Sequence, residues 1–302
     1  MIRKTLSFLV FLLPHYFGFS QSITVADSIT KKGLSFVAVK FQDSGLYTNE
    51  RGMFNWPNDR AVENVELIYL GYKNLQISYG SIKDTIYMSP ISMTLDEVIV
   101  SNVKKHKRQH VKPGKKTRFF GDFPLSSKIE LLTVLYPNGK YLDAYIEKVY
   151  FPIAKKFAFE VDSKTAEAVV RVNIYRVVDS LPAEQLFQSK PIKISGHSRD
   201  EIVVDISDEN ITMTTDGLCF GVEMIGFYDN NQEVTLQKSF VRQQLTAKSS
   251  KVFSAKSYYR YLLSENTELK SMKSFIKKSM DAFNMNRDYN YNLSIGFDLS
   301  LH

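Results

Sequence analysis

Two short stretches carry residue types that could do nucleophilic or metal chemistry. Ser195-Gly-His-Ser-Arg-Asp200 gathers Ser, His and Asp within six residues. A nucleophile, its base and the orienting acid normally converge from separated segments, so this spacing predicts a polar turn and not a catalytic triad. His106 and His110 have the i, i+4 spacing of a helical chelate, but the neighbouring cations would repel a metal ion. The sequence therefore predicts no catalytic residue and no metal site here.

Side-chain oxygens are grouped at two further places. Asn49, Glu50 and Asp59 could bind calcium or a sugar, but residues of these types more often cap turns, and we expect capping. Asp229-Asn-Asn-Gln-Glu233 lacks the ligand spacing of a calcium loop. The single cysteine, Cys219, is expected to be a small buried apolar residue rather than a reactive thiol. Nothing indicates a cofactor, and the sequence disfavours carboxylate catalysis without excluding it.

Positive charge is concentrated in residues 102–118. The 302-residue chain has a formal charge of +7, and this segment alone carries +8, whereas 21–101 carries −2 and 119–302 carries −1. Its basic side chains, the candidate contacts to an anionic surface, are Lys104, Lys105, Lys107, Arg108, Lys112, Lys115, Lys116 and Arg118. Eight like charges and Pro113-Gly114 predict a linker with neither strand nor helix. The linker is either a solvated connector or an attachment to anionic lipid, anionic polymer or an acidic protein face.

Residues 1–20 have the pattern of a secretory signal peptide. Arg3 and Lys4 precede the apolar run Leu6–Leu13, and Gly18 and Ser20 provide small residues for cleavage before Gln21. Eight apolar residues span about 12 Å as a helix, which is too short for the ~30 Å hydrocarbon core of a bilayer. The mature chain is therefore expected to be exported, without a transmembrane segment. Export makes nucleic acid a poor partner for the basic linker.

The elements that must position these residues are mostly strands. In residues 21–101, Phe36 and Ala38 alternate with Val37 and Val39, and strand-like stretches recur every 8–12 residues between turn signals. This spacing predicts an antiparallel β-sandwich.

Four segments of this region follow one another in the same order as the sequence motifs of a known family. They are Asp27-Ser-Ile-Thr-Lys-Lys-Gly-Leu-Ser-Phe-Val-Ala-Val39, Tyr47-Thr-Asn-Glu-Arg-Gly-Met-Phe54, Leu67-Ile-Tyr-Leu-Gly-Tyr-Lys73 and Leu95-Asp-Glu-Val-Ile-Val-Ser101. The ordered set resembles the carboxypeptidase-like regulatory domain, with Asn49 where an Asp is commoner. The resemblance implies a seven-stranded transthyretin-like sandwich of a kind frequent in Bacteroidota envelope proteins. It implies no catalytic residues and places the chain in the periplasm or at the outer membrane.

Residues 95–101 admit two interpretations. The segment is either the last strand of the sandwich or an extended peptide that adds to the sheet edge of a partner. A similar stretch follows such a domain in TonB-dependent receptors, which makes an adaptor to a TonB-dependent system an alternative function.

Residues 119–302 are predicted to form a second β-sandwich. Phe157, Phe159 and Val161 alternate with polar neighbours, the segment 293–301 alternates most regularly, and 217–224 has the apolar composition of an inner strand. The segment 265–283 instead has apolar residues at helical spacing. It is expected to be a helix packed on the sandwich, an interfacial amphipathic helix or a mobile loop.

The second region also has a family resemblance. Residues 168–175, 181–187, 202–206 and 217–223 resemble the jelly-roll-like domain that often follows the first domain in Bacteroidota envelope proteins. This resemblance implies architecture only. The sequence thus predicts an all-β protein, with a non-catalytic binding or assembly role in the cell envelope. Its expected partners are an envelope protein or an anionic envelope surface. The alternative to the adaptor is a carbohydrate-active or peptidase-accessory protein with a site hidden in the second sandwich.

Overall fold

The described part of the chain consists mostly of β-strands, as the period-two alternation predicts. The computed structural model describes residues 22–42, 44–56, 62–81, 83–91, 107–115, 121–156, 164–229, 232–234, 239–246, 251–264, 267–282 and 291–301. The predicted signal peptide 1–20, the segment 95–101 and the alternation at 157–161 lie outside these residues. In the described part, α1 (Met272–Ala282) is the one α-helix. No described helix combines the length and the apolar character that crossing a membrane requires.

The chain folds as two compact units. The first consists of Met1–Phe41 and Tyr47–Ile91, and the second of Gln42–Leu46 and Ser92–His302.

Seven strands lie between residues 22 and 88 of the described chain, as predicted. They are β1 (Ser22–Asp27), β2 (Ala38–Phe41), β3 (Ser44–Tyr47), β4 (Met53–Asn55), β5 (Asn64–Ile68), β6 (Leu75–Ser78) and β7 (Thr85–Met88), with a 3-10 turn at Tyr79–Ser81. The sheet orders are β4-β1-β7 and β3-β2-β5-β6. The expectation of purely antiparallel pairing is wrong for β1 and β7, which pair in parallel. These strands are far apart in sequence, so the intervening chain can provide the crossover that parallel strands need.

The turn at residues 49–52 follows the capping prediction. The Asn49 Oδ1 atom accepts hydrogen bonds from the backbone N–H groups of Arg51 (2.9 Å) and Met53 (3.0 Å). Gly52 has φ +79°, in the left-handed region that glycine enters without steric cost. The Asn49 oxygen thus serves the local backbone. Asp59 lies outside the described residues.

The second unit is a β-sandwich. Its described strands are β8 (Lys107–Val111), β9 (Asp122–Pro124), β10 (Ile129–Pro137), β11 (Tyr145–Lys155), β12 (Ala166–Val178), β13 (Leu181–Gln188), β14 (Ile192–Ser195), β15 (Glu201–Asp205), β16 (Leu218–Asp229), β17 (Gln232–Val234), β18 (Val241–Thr246), β19 (Phe253–Tyr261), β20 (Lys270–Ser271), β21 (Asn292–Leu293) and β22 (Gly296–Leu301). Short 3-10 turns lie at Gly139–Tyr141 and Ser207–Glu209. One sheet has the order β13-β12-β16-β10-β19-β20, with β14 beside β12 and β17 beside β16. The other has the order β21-β18-β11-β22-β8, with β15 beside β11 and β9 beside β18.

The core of this unit lies between the two sheets. The ring of Phe297 in β22 packs edge-on against Phe220 in β16 (5.1 Å between centroids) and Phe253 in β19 (5.3 Å). As predicted, 218–224 is inner strand, since β16 lies between β12 and β10. β22 likewise lies between β11 and β8. The predicted strand 293–301 is therefore divided: Leu293 belongs to β21, which pairs with β18, and residues 296–301 form β22, which is paired on both edges.

The segment 265–283 contains a packed helix, one of its three predicted states. Met272 and Ile276 of α1 are buried and belong to the inter-sheet core. They are four residues apart, so they lie on one face of the helix. Lys277 and Lys278 are exposed.

Candidate functional site

Part of the basic segment is a strand, which corrects the prediction of an unstructured linker. β8 pairs antiparallel with β22, and Val111 stands opposite Phe297. Val111 is buried, and the Gln109 amide donates a hydrogen bond to the Tyr141 hydroxyl (2.8 Å). Alternate strand residues point to opposite faces, so Arg108 and His110 point outward. The prediction is wrong because the eight cations are spread over 17 residues. β8 itself contains only two permanent cations, Lys107 and Arg108.

The chain after β8 is also held in place. The Ser294 hydroxyl donates a hydrogen bond to the Gly114 carbonyl (2.7 Å). Pro113 packs on Gly296 so closely that a Cβ atom at residue 296 would lie 2.6 Å from the proline Cδ. Glycine is therefore required where this chain crosses β22. The described part of the basic segment extends from residue 107 to residue 115.

Four of the eight predicted contact residues belong to this part. Lys107, Arg108, Lys112 and Lys115 are all exposed, and we call them the basic edge. Arg108 Nε lies 3.1 Å from a Glu147 carboxylate oxygen, with 82% of its side chain exposed. The lysines of the basic edge form no ion pair within the described part of the chain. The other four predicted residues, Lys104, Lys105, Lys116 and Arg118, lie outside the described residues.

A row of hydrogen-bonded and charged side chains lies beside the basic edge. It crosses β8, β22, β11 and β15 through His110, Asp298, Lys148 and Asp205, each opposite the next in register. His110 Nδ1 lies 2.6 Å from Asp298 Oδ1, and Lys148 Nζ lies 3.3 Å from Asp205 Oδ2. Opposite charges on facing residues stabilise strand pairing. The row therefore fixes β8, and with it the basic edge, to the sheet.

Asp298 is the most strongly constrained member of the row. The Tyr150 hydroxyl donates a hydrogen bond to Asp298 Oδ2 (2.5 Å), and the His110 ring lies edge-on to the Tyr150 ring. Burial alone would raise the pKa of Asp298, but the hydrogen bonds from Tyr150 and His110 outweigh burial and lower it. Burial and the Asp298 carboxylate together raise the pKa of Tyr150 to about 12. Asp298 is therefore an anion at neutral pH, and Tyr150 keeps its proton.

The row forms one wall of an open polar cavity of about 500 Å³. Arg108, Gln109, Glu147 and Ser207 complete its lining. The Ser207 hydroxyl donates a hydrogen bond to Asp205 (2.8 Å), and among the described residues no hydrogen bond joins it to His110. The lining contains a histidine–carboxylate pair but no activated hydroxyl beside it, and a nucleophilic site needs both. Its chemistry suits the binding of charged or polar groups.

A second polar cluster, which the sequence does not predict, is buried on the other sheet. Glu130 is fully buried and accepts hydrogen bonds from Asn173 Nδ2 (2.8 Å), the Tyr175 hydroxyl (2.7 Å) and Arg260 Nε (2.8 Å). Asn173 Nδ2 also donates to Glu223 (2.9 Å), which stands opposite Glu130 in register. This carboxylate pair is enclosed and saturated with partners. Both side chains are buried, so they bond to neighbouring strands and not to a ligand.

The other candidates have structural roles. Cys219 is fully buried, and burial raises the pKa of its thiol. The backbone N–H groups of Ser195 and His197 donate to the hydroxyls of Ser198 (3.0 Å) and Ser195 (3.3 Å), so this stretch is the predicted polar turn. Asp229 pairs with Gln232 in the hairpin between β16 and β17. Among the described residues, no group of three or more His, Cys, Asp or Glu side chains is arranged to hold a metal ion.

Comparisons with known proteins add little information about the family or the function of this chain. No protein-family model matches this chain, and no curated protein matches it. A solved structure of the cysteine protease and lectin-like domains of Cwp84, a surface layer associated protein of Clostridium difficile, matches with a TM-score of 0.31 and 13% sequence identity. That match covers 58% of this chain and 33% of the other. It assigns neither fold nor activity, and the two family resemblances stay predictions.

Proposed function

We propose that this chain is a non-catalytic binding module of the bacterial cell envelope that attaches to an anionic surface through the basic edge. The observation that carries the proposal is that the basic edge is held in a fixed position. Lys107, Arg108, Lys112 and Lys115 are exposed on a segment that strand pairing and the Ser294–Gly114 hydrogen bond hold in place.

An ordered edge binds better than a flexible tail of the same charge. Cations near an anionic surface contribute on the order of 1 kcal/mol each, and salt screens the attraction over about 10 Å. A segment that is fixed before binding loses less conformational entropy when it binds. Asp298 and Asp205 are paired within the row and Glu147 is paired with Arg108, so the described acidic residues of this region do not pair with the three lysines of the edge.

Export and envelope location rest on the signal-peptide pattern and on the resemblance to the carboxypeptidase-like regulatory domain. Both are properties of the sequence. The adaptor alternative depends on residues 95–101, outside the described chain, and the carbohydrate-active alternative gains no site from the enclosed pair of Glu130 and Glu223.

Charge replacement tests the proposal more cleanly than deletion, because deleting residues 103–117 would remove β8 itself. The test variant is K107Q/R108Q/K112Q/K115Q. The matched control is K140Q/K190Q/R199Q/K251Q, which removes three lysines and one arginine from exposed positions elsewhere in the second unit. Binding is measured by sedimentation with isolated envelope fractions and by titration with dextran sulfate, at low and high salt.

We expect the test variant to bind at least tenfold more weakly than the wild-type chain at low salt, and the control to stay within about twofold. High salt should weaken the binding of the wild-type chain. Equal binding by the test variant and the wild-type chain would overturn the proposal.

A further inference from the structure

A cluster of aromatic side chains reaches the surface beside α1. Phe275 is 44% exposed and Tyr261 is 40% exposed. Both rings lie edge-on to Tyr259, with centroids 5.9 Å and 6.3 Å from it. Phe123 closes the inner side of the cluster, 5.3 Å from Phe275. Two partly exposed aromatic rings thus pack on the same tyrosine, Tyr259, whereas a single exposed apolar residue would need no explanation.

The packing of α1 explains why Phe275 is exposed. Met272 and Ile276 occupy the face of the helix that joins the core, so Phe275 lies at the rim of that face. Lys277 and Lys278 follow it and are exposed. The Lys270 ammonium lies 5.1 Å from the centre of the Tyr261 ring. Lys278 is three residues from Phe275 and lies on the same side of α1, whereas Lys277 lies on the opposite side. We call Phe275, Tyr261, Lys270 and Lys278 the aromatic–basic patch.

Two kinds of ligand use exposed aromatic rings, and the geometry separates them. A sugar platform needs an open, flat ring face, but the Lys270 ammonium lies over one face of Tyr261. At a membrane surface, in contrast, apolar rings enter the headgroup region while lysines extend toward anionic headgroups. The patch has this second arrangement.

We propose that the aromatic–basic patch inserts into the surface of an anionic lipid bilayer. This inference rests on the proposed function and names its anionic surface as lipid rather than soluble polymer. Stable peripheral attachment normally needs two signals. The basic edge provides an electrostatic signal, and the patch adds an apolar one that salt does not screen.

The test compares phosphatidylcholine vesicles with and without phosphatidylglycerol. The loss variant is F275S/Y261S, and its matched control is V178S/L181S, which removes two apolar side chains that are about half exposed elsewhere in the same unit. A third variant, F275W, reports insertion without removing the ring. Its emission can be separated from that of Trp56, the single native tryptophan, which is buried in the first unit.

We expect F275S/Y261S to bind anionic vesicles about tenfold more weakly and to bind dextran sulfate like the wild-type chain. We expect V178S/L181S to bind both normally. The emission of F275W should shift to the blue with anionic vesicles, and brominated lipid should quench it.

Unchanged vesicle binding by F275S/Y261S, with no shift of F275W, would overturn the lipid inference. Binding to dextran sulfate but not to vesicles would overturn it as well and would leave the proposed function standing. A blue shift of F275W with soluble envelope oligosaccharides but not with vesicles would mean that the aromatic–basic patch binds sugar and not lipid. A different result would contradict the proposed function: K107Q/R108Q/K112Q/K115Q would bind every anionic probe as strongly as the wild-type chain does.

Discussion

His110 and Asp298 are 188 residues apart in the chain, and their side chains meet at 2.6 Å across β8 and β22. The contact joins the basic segment to the last described strand of the second unit. It turns part of an expected linker into the edge of a sheet. The orientation of the basic edge therefore depends on a carboxylate that no local sequence pattern connects with it.

Replacing Asp298 by Asn should destabilise the second unit. The substitution removes the charged acceptor of the Tyr150 and His110 hydrogen bonds, and we expect a loss of about 1–2 kcal/mol because 28% of the Asp298 side chain is still exposed. The pKa of Asp298 is lowered in the folded chain. Its contribution is thus fully present above the unfolded-state value of about 3.9 and is lost as the pH falls through the lower folded-state value.

Urea unfolding of the wild-type chain and D298N at several pH values checks this. The difference between them should stay constant near neutral pH and shrink below about pH 4. D208N, at an exposed position of the 3-10 turn Ser207–Glu209, is the control and should match the wild-type chain. A difference that grows as the pH falls would contradict the assigned role.

Tyr72→Phe should raise the pKa of Asp27 in the first unit. That pKa is lowered to about 2, first by the Tyr72 hydroxyl (2.6 Å) and then by the backbone N–H groups of Thr30 and Ile29. Since the backbone donors remain, we expect the pKa to move only part of the way toward 3.8. The stability that Asp27 contributes is present at neutral pH and is lost as the pH falls through about 2. NMR titration of the Asp27 carboxyl carbon measures the shift, and Tyr87→Phe, which keeps Tyr72, should leave it unchanged.

Gln243→Met should stabilise the second unit. Gln243 is 1% exposed, and neither of its side-chain polar atoms has a hydrogen-bond partner among the described residues. A buried unsatisfied polar group costs about 1–3 kcal/mol, and methionine has a similar length without that cost. The control is Gln244→Met, because Gln244 donates a hydrogen bond to the Ile153 carbonyl (3.3 Å). Chemical denaturation should show a higher unfolding free energy for Q243M and no such gain for Q244M. A loss of stability in Q243M would contradict the prediction.

Glu130→Gln should be among the most damaging single substitutions in the second unit. It removes the charge that faces Arg260, whose side chain is only 21% exposed, and breaking such a pair costs about 3–5 kcal/mol. The exposed pair of Arg176 and Glu184 provides the contrast, since E184Q should cost at most about 1 kcal/mol.

A double-mutant cycle separates the pair from its surroundings. E130L/R260M should be more stable than the sum of the two single changes predicts, because it leaves no uncompensated charge. Thermal unfolding of the four chains provides the coupling energy. Strict additivity would mean that the two side chains stabilise the unit independently of each other.

The sequence predicts those features that depend on neighbouring residues. Period-two alternation reveals the strands, the apolar composition of 217–224 identifies an inner strand, and helical spacing identifies the segment that contains α1. β8 escapes prediction because Val111 is its only buried apolar residue and its pairing partner is far along the chain. The Glu130 cluster is not predicted for another reason. Alternation tells which side chains share a face of a sheet, but it does not tell whether water reaches that face.

The pairing of β8 with β22 also sets an order of events during synthesis. Strands β1 to β7 pair among themselves, so their two sheets can form as soon as residue 88 is free. The second sandwich cannot close until residues 296–301 are made, because β22 must enter between β8 and β11. Pairings of such high contact order form slowly. The nascent second unit thus stays open for most of its synthesis.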